Sequence, residues 1–344
     1  MPELSAQAIA GALALAEAEA QRGHRGANPL VGAVVLAPDG TPVSTGFHRG
    51  AGHAHAEVDA LASLPQSWRA RASELTLVVT LEPCRLTGRT GPCVAAIRGA
   101  GIGSVLFGAA DGTVNGGGGA ELRAAGLAVS GPLDPDSALR LNPRWLSAKA
   151  QSRPFVTAHL AQSLDARVAD SQGRGRWITG PEAREHSHQV RSRVDTIVVG
   201  TGTVLADDPA LSVRLPGVPA RFPPVVVAGE RGIPDASQLG ARRRAGGPVA
   251  VVPGRDPLAV LAACQGGHVL LEGGPTLLSA FLEADLVDEL FLYVAPSLLG
   301  PGTDAAAALT GRTVSAPLRL DHDLAGLEPD RLGRDLLLHL LPAA

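Results

Sequence analysis

His53-Ala54-His55-Ala56-Glu57, Leu81-Glu82-Pro83-Cys84 and Gly91-Pro92-Cys93 carry the reading of this chain. The sequence has three cysteines, and two of them stand here, downstream of a histidine. Neutral imidazole and thiolate are donors that Zn²⁺ prefers, and three protein ligands keep a fourth tetrahedral position open, the mark of a catalytic site. Zinc lowers the pKa of the water it binds towards neutrality. His55, Cys84 and Cys93 are therefore the expected ligands. Glu57 is too close in sequence to His55 to complete the set easily from the same helical turn. It is expected to shuttle protons between water and a substrate nitrogen. Taken singly, a cysteine here is more simply a small buried hydrophobe, and His55 a surface residue. In this order, with Pro83 and Pro92 each preceding a cysteine, the four residues indicate a zinc site.

The order His-x-Glu, then Pro-Cys and a second Cys, is that of zinc-dependent nucleobase deaminases, in which the glutamate is acid and base rather than ligand. The usual gap of two residues between the cysteines is replaced by the eight residues from Arg85 to Pro92.

A length of 344 residues exceeds what one core usually serves, so two domains are expected. Glycine and proline are abundant (42 and 27) but follow no fixed period, which argues against disorder. The net charge of −3, with signs intermixed, disfavours a duplex nucleic-acid binder, which needs a basic face. Lys149 is the sole lysine, so each arginine needs a local argument before it is assigned a role. The N-terminal stretch lacks a basic region followed by an apolar one, so no signal peptide is expected. No uncharged apolar run is long enough for a bilayer. With two cysteines given to metal, a disulfide framework is not expected either. The expectation is a soluble cytoplasmic protein without a membrane partner.

Helical spacing over 5–21, with Ser5 as N-cap, precedes Asn28-Pro29-Leu30-Val31-Gly32 and a short strand at 33–37. Pro38-Asp39-Gly40 is a turn, and 43–47 the hairpin partner. His55 opens a helix to 64, 75–81 is a strand buried on both faces, Cys93 opens a helix to 98, and 104–108 is a strand. Both metal-bearing segments thus fall where a helix begins, where free amides and the helix dipole favour thiolate. The expected fold of 1–150 is an αβα sandwich on a mixed sheet. Gly116 to Gly119 is expected to be a flexible turn and 134–149 a helix, broken at Ser152-Arg153-Pro154.

Residues 151–344 form the expected second domain. Strands are expected at 155–162, 196–200, 224–228, 249–252, 268–271 and 289–295, with helices at 181–193, 257–263 and 275–284, implying a largely parallel sheet. Ligands in such sheets sit beyond the carboxyl ends of strands. Gly200-Thr201-Gly202-Thr203, Glu272-Gly273-Gly274-Pro275-Thr276, and the loop with Asp207-Asp208-Pro209 and Arg214 occupy such ends. Together they suggest a dinucleotide or phosphosugar site without the usual glycine fingerprint.

Across nearly its whole length the chain resembles the bifunctional riboflavin-biosynthesis deaminase–reductase family. The first half matches in Asn28-Pro29-Leu30-Val31-Gly32, His55-Ala56-Glu57-Val58, Thr80-Leu81-Glu82-Pro83-Cys84 and Gly88-Arg89-Thr90-Gly91-Pro92-Cys93. The second half matches in Ser163-Leu164-Asp165, Trp177-Ile178-Thr179, the stretch Thr203 to Leu211 and Glu272-Gly273-Gly274-Pro275-Thr276-Leu277. The resemblance implies a cytidine-deaminase-like αβα sandwich joined to a dihydrofolate-reductase-like α/β domain, with zinc and NADPH as cofactors. It implies two reactions on a phosphoribosylamino-pyrimidine: loss of the 2-amino group as ammonia, then reduction of the ribosyl chain to ribityl. It further implies that His55, Cys84 and Cys93 bind zinc, that Glu57 shuttles protons, and that Asn28, His48 and Arg89 contact the deaminase substrate. Ala161, Trp177, Thr203, Asp207, Gly274, Pro275 and Thr276 would line the NADPH site. Arg191, Leu211, Arg214 and Glu272 would hold the reductase substrate. A homo-oligomer is expected.

The residues bear on this independently in two places. Arginine suits a phosphate bidentately, which Arg191 and Arg214 could do. Trp177 could stack on a ring or simply fill a core. The chain also departs from the family pattern. Arg85-Leu86-Thr87 replaces Ser-His-aromatic, His159 replaces a lysine, Ala166 replaces a glycine, and Gly175 replaces a serine. Two alternatives follow: a related deaminase–reductase acting on another modified pyrimidine or pteridine, or a deaminase whose reductase-like domain is impaired. Cys264 has no assigned role beyond packing.

Overall fold

The apolar runs of the first half become the strands β1 (Gly32–Leu36), β2 (Pro42–Phe47), β3 (Thr76–Leu81), β4 (Ser104–Ala109) and β5 (Ala128–Ser130) of the computed structural model. It describes residues 4–23, 28–50, 52–88, 90–175, 177–217, 219–306, 308–310, 320–322 and 330–342. Arg89 lies outside the described residues. Two units divide the chain between Ala150 and Gln151. No helix among the described residues is long and apolar enough to cross a membrane.

In the first unit the order is β2-β1-β3-β4-β5, antiparallel on either side of β1 and parallel from β3 to β5, a mixed sheet. All six residues of β3 are buried, as a strand covered on both faces requires. Val34, Leu36 and Val78 pack on Ala12 and Ala16 of the helix Ala6–Ala20. Ala33, Val35, Leu77 and Val79 face the opposite way, onto Ala56 and Ala60 of the helix Ala56–Ala62 and Ile97 of the helix Cys93–Ala100. That alternation builds the αβα sandwich. The helix carrying Glu57 lies so close to β2 that a Cβ on Gly46 would come within 2.2 Å of the Ala60 amide nitrogen.

Two expectations for this unit change. The helix expected over 134–149 is two, Asp136–Leu141 and Pro143–Gln151. Pro143 has no N–H and pushes Asn142 off the helical region, to φ −132° and ψ 42°. The freed Asn142 side chain accepts from the Leu30 N–H at 2.7 Å and donates to the Leu30 carbonyl at 2.9 Å. The glycine-rich stretch is not a plain turn either, because Gly117 caps the helix Gly118–Ala124.

The second unit has the strands β6 (Phe155–Ser163), β7 (Arg167–Asp170), β8 (Thr196–Gly200), β9 (Val225–Ala228), β10 (Val249–Val252), β11 (His268–Leu271) and β12 (Glu289–Ala295). They are followed by β13 (Gly302–Asp304), β14 (Leu320–His322), β15 (Asp330–Leu332) and β16 (Asp335–Pro342). The large sheet runs β10-β9-β8-β11-β6-β12-β16-β14, with β15 also on β16 and β7 paired apart with β13. It is parallel from β10 to β12 and antiparallel around β16. β13 to β16 extend the architecture beyond 295, where no strand was expected. The run Leu336 to Leu341 is apolar enough for helix or strand, and its partners on β12 decide. Val198, Val226, Val269 and Leu271 face Phe281 and Leu282, while Ile197, Val199, Val227 and Leu270 face Val190, Val194 and Leu239.

Asn142→Leu removes both bonds to the Leu30 backbone and leaves a buried N–H and C=O unpaired. It is expected to destabilise the first unit by about 2–4 kcal/mol, read as a lower denaturant midpoint. A midpoint equal to wild type would mean that this side-chain pair does not hold the Leu30 segment.

Candidate functional sites

β3 ends at Leu81, and the chain turns through Glu82-Pro83 to present Cys84. Cys93 is the first residue of its helix, and His55 is the extended N-cap of another, at φ −69° and ψ 162°. These three segments bring His55 Nδ1 to 3.2 Å from Cys93 Sγ and 3.5 Å from Cys84 Sγ, with 3.5 Å between the sulfurs. A tetrahedral zinc with bonds of about 2.3 Å to sulfur and about 2.0 Å to nitrogen needs edges of roughly 3.6 Å. The triangle fits zinc in donor chemistry and in size, and it is such a cluster among the described residues.

The electrostatics agree. The Cys93 sulfur beside it, with His55 contributing next, pulls the Cys84 thiol down to about 4. The same sulfur contact and burial push Cys93 up. Two sulfurs sharing one proton are what a divalent cation displaces. Burial raises the Glu57 carboxyl above its ordinary range, which suits a group that must both take and give a proton.

Glu57, His55 and Cys84 line a cavity of about 300 Å³ together with Asn28, His48 and Leu86. His48 Nδ1 donates to the Ala54 carbonyl at 2.9 Å, so Nε2 accepts from the Asn28 amide at 2.9 Å, and burial holds the ring neutral. Asp111, Asn115 and Trp145 complete the wall, and sequence reading had given them no part. Glu82 was missed too. Its carboxylate accepts from the amides of Asp111, Gly117 and Gly119 at 3.3, 3.2 and 3.0 Å, tying the zinc loop to the glycine-rich stretch. Gly118 is packed so tightly there that a Cβ would lie 1.9 Å from the Pro83 carbonyl oxygen.

The second unit holds a cavity of about 920 Å³ at the carboxyl ends of β6, β8, β9, β10 and β11. Ala161, Trp177, Thr203, Asp207, Glu272, Gly274, Pro275 and Thr276 all line it. Trp177 is 62% exposed and lies 4.5 Å from the Arg184 guanidinium, so it is no core tryptophan. Arg191, Leu211 and Arg214 do not line the cavity. The Arg191 fork grips Glu272, through Nε to Oε1 and through Nη2 to Oε2 at 2.6 Å. The bidentate geometry suggested for a phosphate is therefore taken by a carboxylate. Leu211 is 3% exposed, in the left-handed region at φ 47°. The Arg214 amide donates to His188 Nδ1 at 3.2 Å.

His159 lines this cavity as well. Burial brings its pKa down to about 4; Glu272 opposes that shift, while Arg191 and His186 add to it. Above pH 6.5 the ring is neutral in folded and unfolded chains alike. As pH falls from 6.5 towards about 4, the unfolded chain takes a proton that the folded chain refuses, so stability is lost. The second unit is expected to lose roughly 2 kcal/mol between pH 7 and pH 5 through this ring. His159→Phe should flatten that slope in urea unfolding, and an unchanged slope would refute the assignment.

The deaminase-like half matches the model of the cytidine and deoxycytidylate deaminase zinc-binding region over residues 7–109. Residues 154–324 match that of the RibD C-terminal domain. Riboflavin biosynthesis protein RibD of Mycobacterium tuberculosis (strain H37Rv) is 40% identical over 319 residues, covering 91% of each chain. Acinetobacter baumannii RibD superposes with a TM-score of 0.84 at 31% identity, over 98% of this chain and 99% of the other. A diaminohydroxyphosphoribosylaminopyrimidine deaminase/5-amino-6-(5-phosphoribosylamino)uracil reductase from Thermotoga maritima gives 0.81 at 27% identity, with the same coverage. With both of its units matched and its length covered, the chain belongs to the RibD family of riboflavin biosynthesis proteins, a deaminase domain joined to a reductase domain.

Proposed function

We propose that this protein carries out two consecutive steps of riboflavin biosynthesis. The first is hydrolytic removal of the 2-amino group of 2,5-diamino-6-(5-phosphoribosylamino)pyrimidin-4-one, releasing ammonia. The second is NADPH-dependent reduction of the ribosyl chain of 5-amino-6-(5-phosphoribosylamino)uracil to ribityl. The observation that carries the reading is one chain holding both a His55-Cys84-Cys93 cluster beside buried Glu57 and a second, larger cavity at the ends of parallel strands. Residues 1–150 are assigned to deamination and 151–344 to reduction.

His55, Cys84 and Cys93 would hold zinc, which would supply the first step with a water that is acidic near neutral pH. Glu57 would hold and move the proton between water and the departing amine. Asn28, His48 and Arg89 hold the pyrimidine. Neutral His48, fixed by Ala54 and Asn28, orients without adding charge.

In the second step NADPH supplies the hydride. The cavity has the volume for a dinucleotide, and the residues lining it offer backbone amides at Thr203 and at Gly274 to Thr276. Ala161, Trp177 and Asp207 complete the cofactor site. Glu272, aimed by Arg191, holds the sugar chain. The protein works as a cytoplasmic homo-oligomer with no nucleic-acid or membrane partner, in keeping with its intermixed charges and net −3.

Purified protein given the diaminopyrimidine should release ammonia and then consume NADPH. Ammonia without NADPH loss would sink the second half of the reading, and neither signal from zinc-loaded protein would sink both. Glu57→Gln should lose ammonia release by about 10²–10⁴-fold while still oxidising NADPH with the deaminated intermediate. Chelation should act in the same way, abolishing ammonia release and sparing NADPH oxidation, with recovery on adding zinc. A reductase that dies with the metal would contradict the separation of the two sites.

A further inference from the structure

Trp145 stands in the wall of the first cavity without a place in the core. Its helix, Pro143–Gln151, is set by Asn142, whose side chain bonds both the N–H and the carbonyl of Leu30. Asn28 and Pro29, just ahead of Leu30, line the cavity, and so does Trp145, three residues after Asn142. The next residue, Leu146, packs on Leu81, Ala109 and Ala138. Trp145 is half-buried, yet it joins none of the apolar clusters among the described residues. An indole that faces a cavity and that the core does not use is a surface for a ligand.

The sole lysine of the chain is on the same helix, one turn further on. Lys149 Nζ lies 5.8 Å from the centre of the Trp145 ring, near the outer limit of cation–π contact. Lys149 is exposed and has no ion pair among the described residues. The cavity wall itself offers a phosphate little: its described residues include no arginine or lysine, whereas Glu57, Glu82 and Asp111 are acids. At about 300 Å³ the cavity is also at the lower end of small-molecule sites. The pyrimidine and the start of its sugar fill it, so the phosphate of a phosphoribosylamino chain stays at the mouth, within reach of a flexible ammonium.

We propose that Trp145 and Lys149 form a subsite for the phosphoribosyl arm of the deaminase substrate, the indole lying against the ribose and the ammonium meeting the phosphate. The inference rests on the deaminase reading. The C–H face of a ribose is apolar and packs on an indole as an aliphatic group does. The phosphate is close to a dianion at neutral pH and draws the ammonium as a point charge. Neither residue takes part in the chemistry. With the arm fixed at the mouth, the pyrimidine ring is left to reach buried Glu57, and the first unit tells a phosphorylated ribosylamine from a free one.

The test uses the full, zinc-loaded chain and reads ammonia release from two probes. One is 2,5-diamino-6-(5-phosphoribosylamino)pyrimidin-4-one, and the other is the same compound freed of its phosphate by a phosphatase. Lys149→Gln should raise the KM for the phosphorylated probe about tenfold with kcat within about twofold. The KM for the dephosphorylated probe should move by less than about twofold, and Lys149→Arg should bring the first KM back towards wild type. Trp145→Ala should raise both KM values about tenfold, and Trp145→Phe should raise them less. Lys149→Gln that changes the two KM values equally, or changes neither, would overturn the proposal. So would Trp145→Ala that takes both probes as wild type does. Zinc content checks that the first unit is folded; should Trp145→Ala lose its zinc, Trp145→Phe and the Lys149 variants decide. Wild type that releases no ammonia from either probe would overturn the deaminase reading and the subsite with it. Active wild type beside unmoved variants removes only the subsite.

Discussion

Soft donors gathered from three separate segments to within 3.5 Å of one another are the constraint on which the first unit depends. No local propensity does this. The helix Ala56–Ala62 must approach β2 at Gly46, the helix Cys93–Ala100 must begin at Cys93, and β3 must stop where Cys84 turns inwards. Glu82 then locks the turn, because a carboxylate accepting three amides across two loops cannot rotate without losing all of them.

A different constraint organises the second unit. Glu272 is buried at the end of β11, where burial alone would push its carboxyl up; Arg191 outweighs that and holds it ionised. Arg191 reaches it from the helix Pro181–Ser192, on the far side of β8 in sequence. Removing either partner would strand the other charge out of water. The pair therefore fixes how that helix lies against the strand ends that form the cavity floor.

The strands at the heart of the large sheet were legible in the sequence because buried parallel strands are continuous apolar runs, and 196–200, 268–271 and 289–295 match residue for residue. The zinc cluster was legible because its donors are scarce and their order is specific. What escaped depends on partners distant in the chain. Asn142 looks like a helix residue until Leu30 is beside it, and Gly116 to Gly119 looks like a bare turn until the Glu82 carboxylate meets its amides. Arg191 looks free for a phosphate until Glu272 is folded onto it. β16 escaped for a simpler reason, since a leucine run broken only by His339 has no period to read.

β6 lies inside the large sheet with Phe155 paired to His268 and Thr157 to Glu289. As the ribosome extends the chain, β6 emerges long before either neighbour exists. The first unit's strands, by contrast, find each other within a short stretch, Gly32 to Phe47 and Ala33 to Val79 being the farthest steps around β1. Long-range parallel pairing is slow because loop closure precedes its reward. The zinc-bearing half is thus placed to be native while the apolar β6 still waits, exposed, for β11 and β12, and in a crowded cell that interval is the protein's window of vulnerability to aggregation.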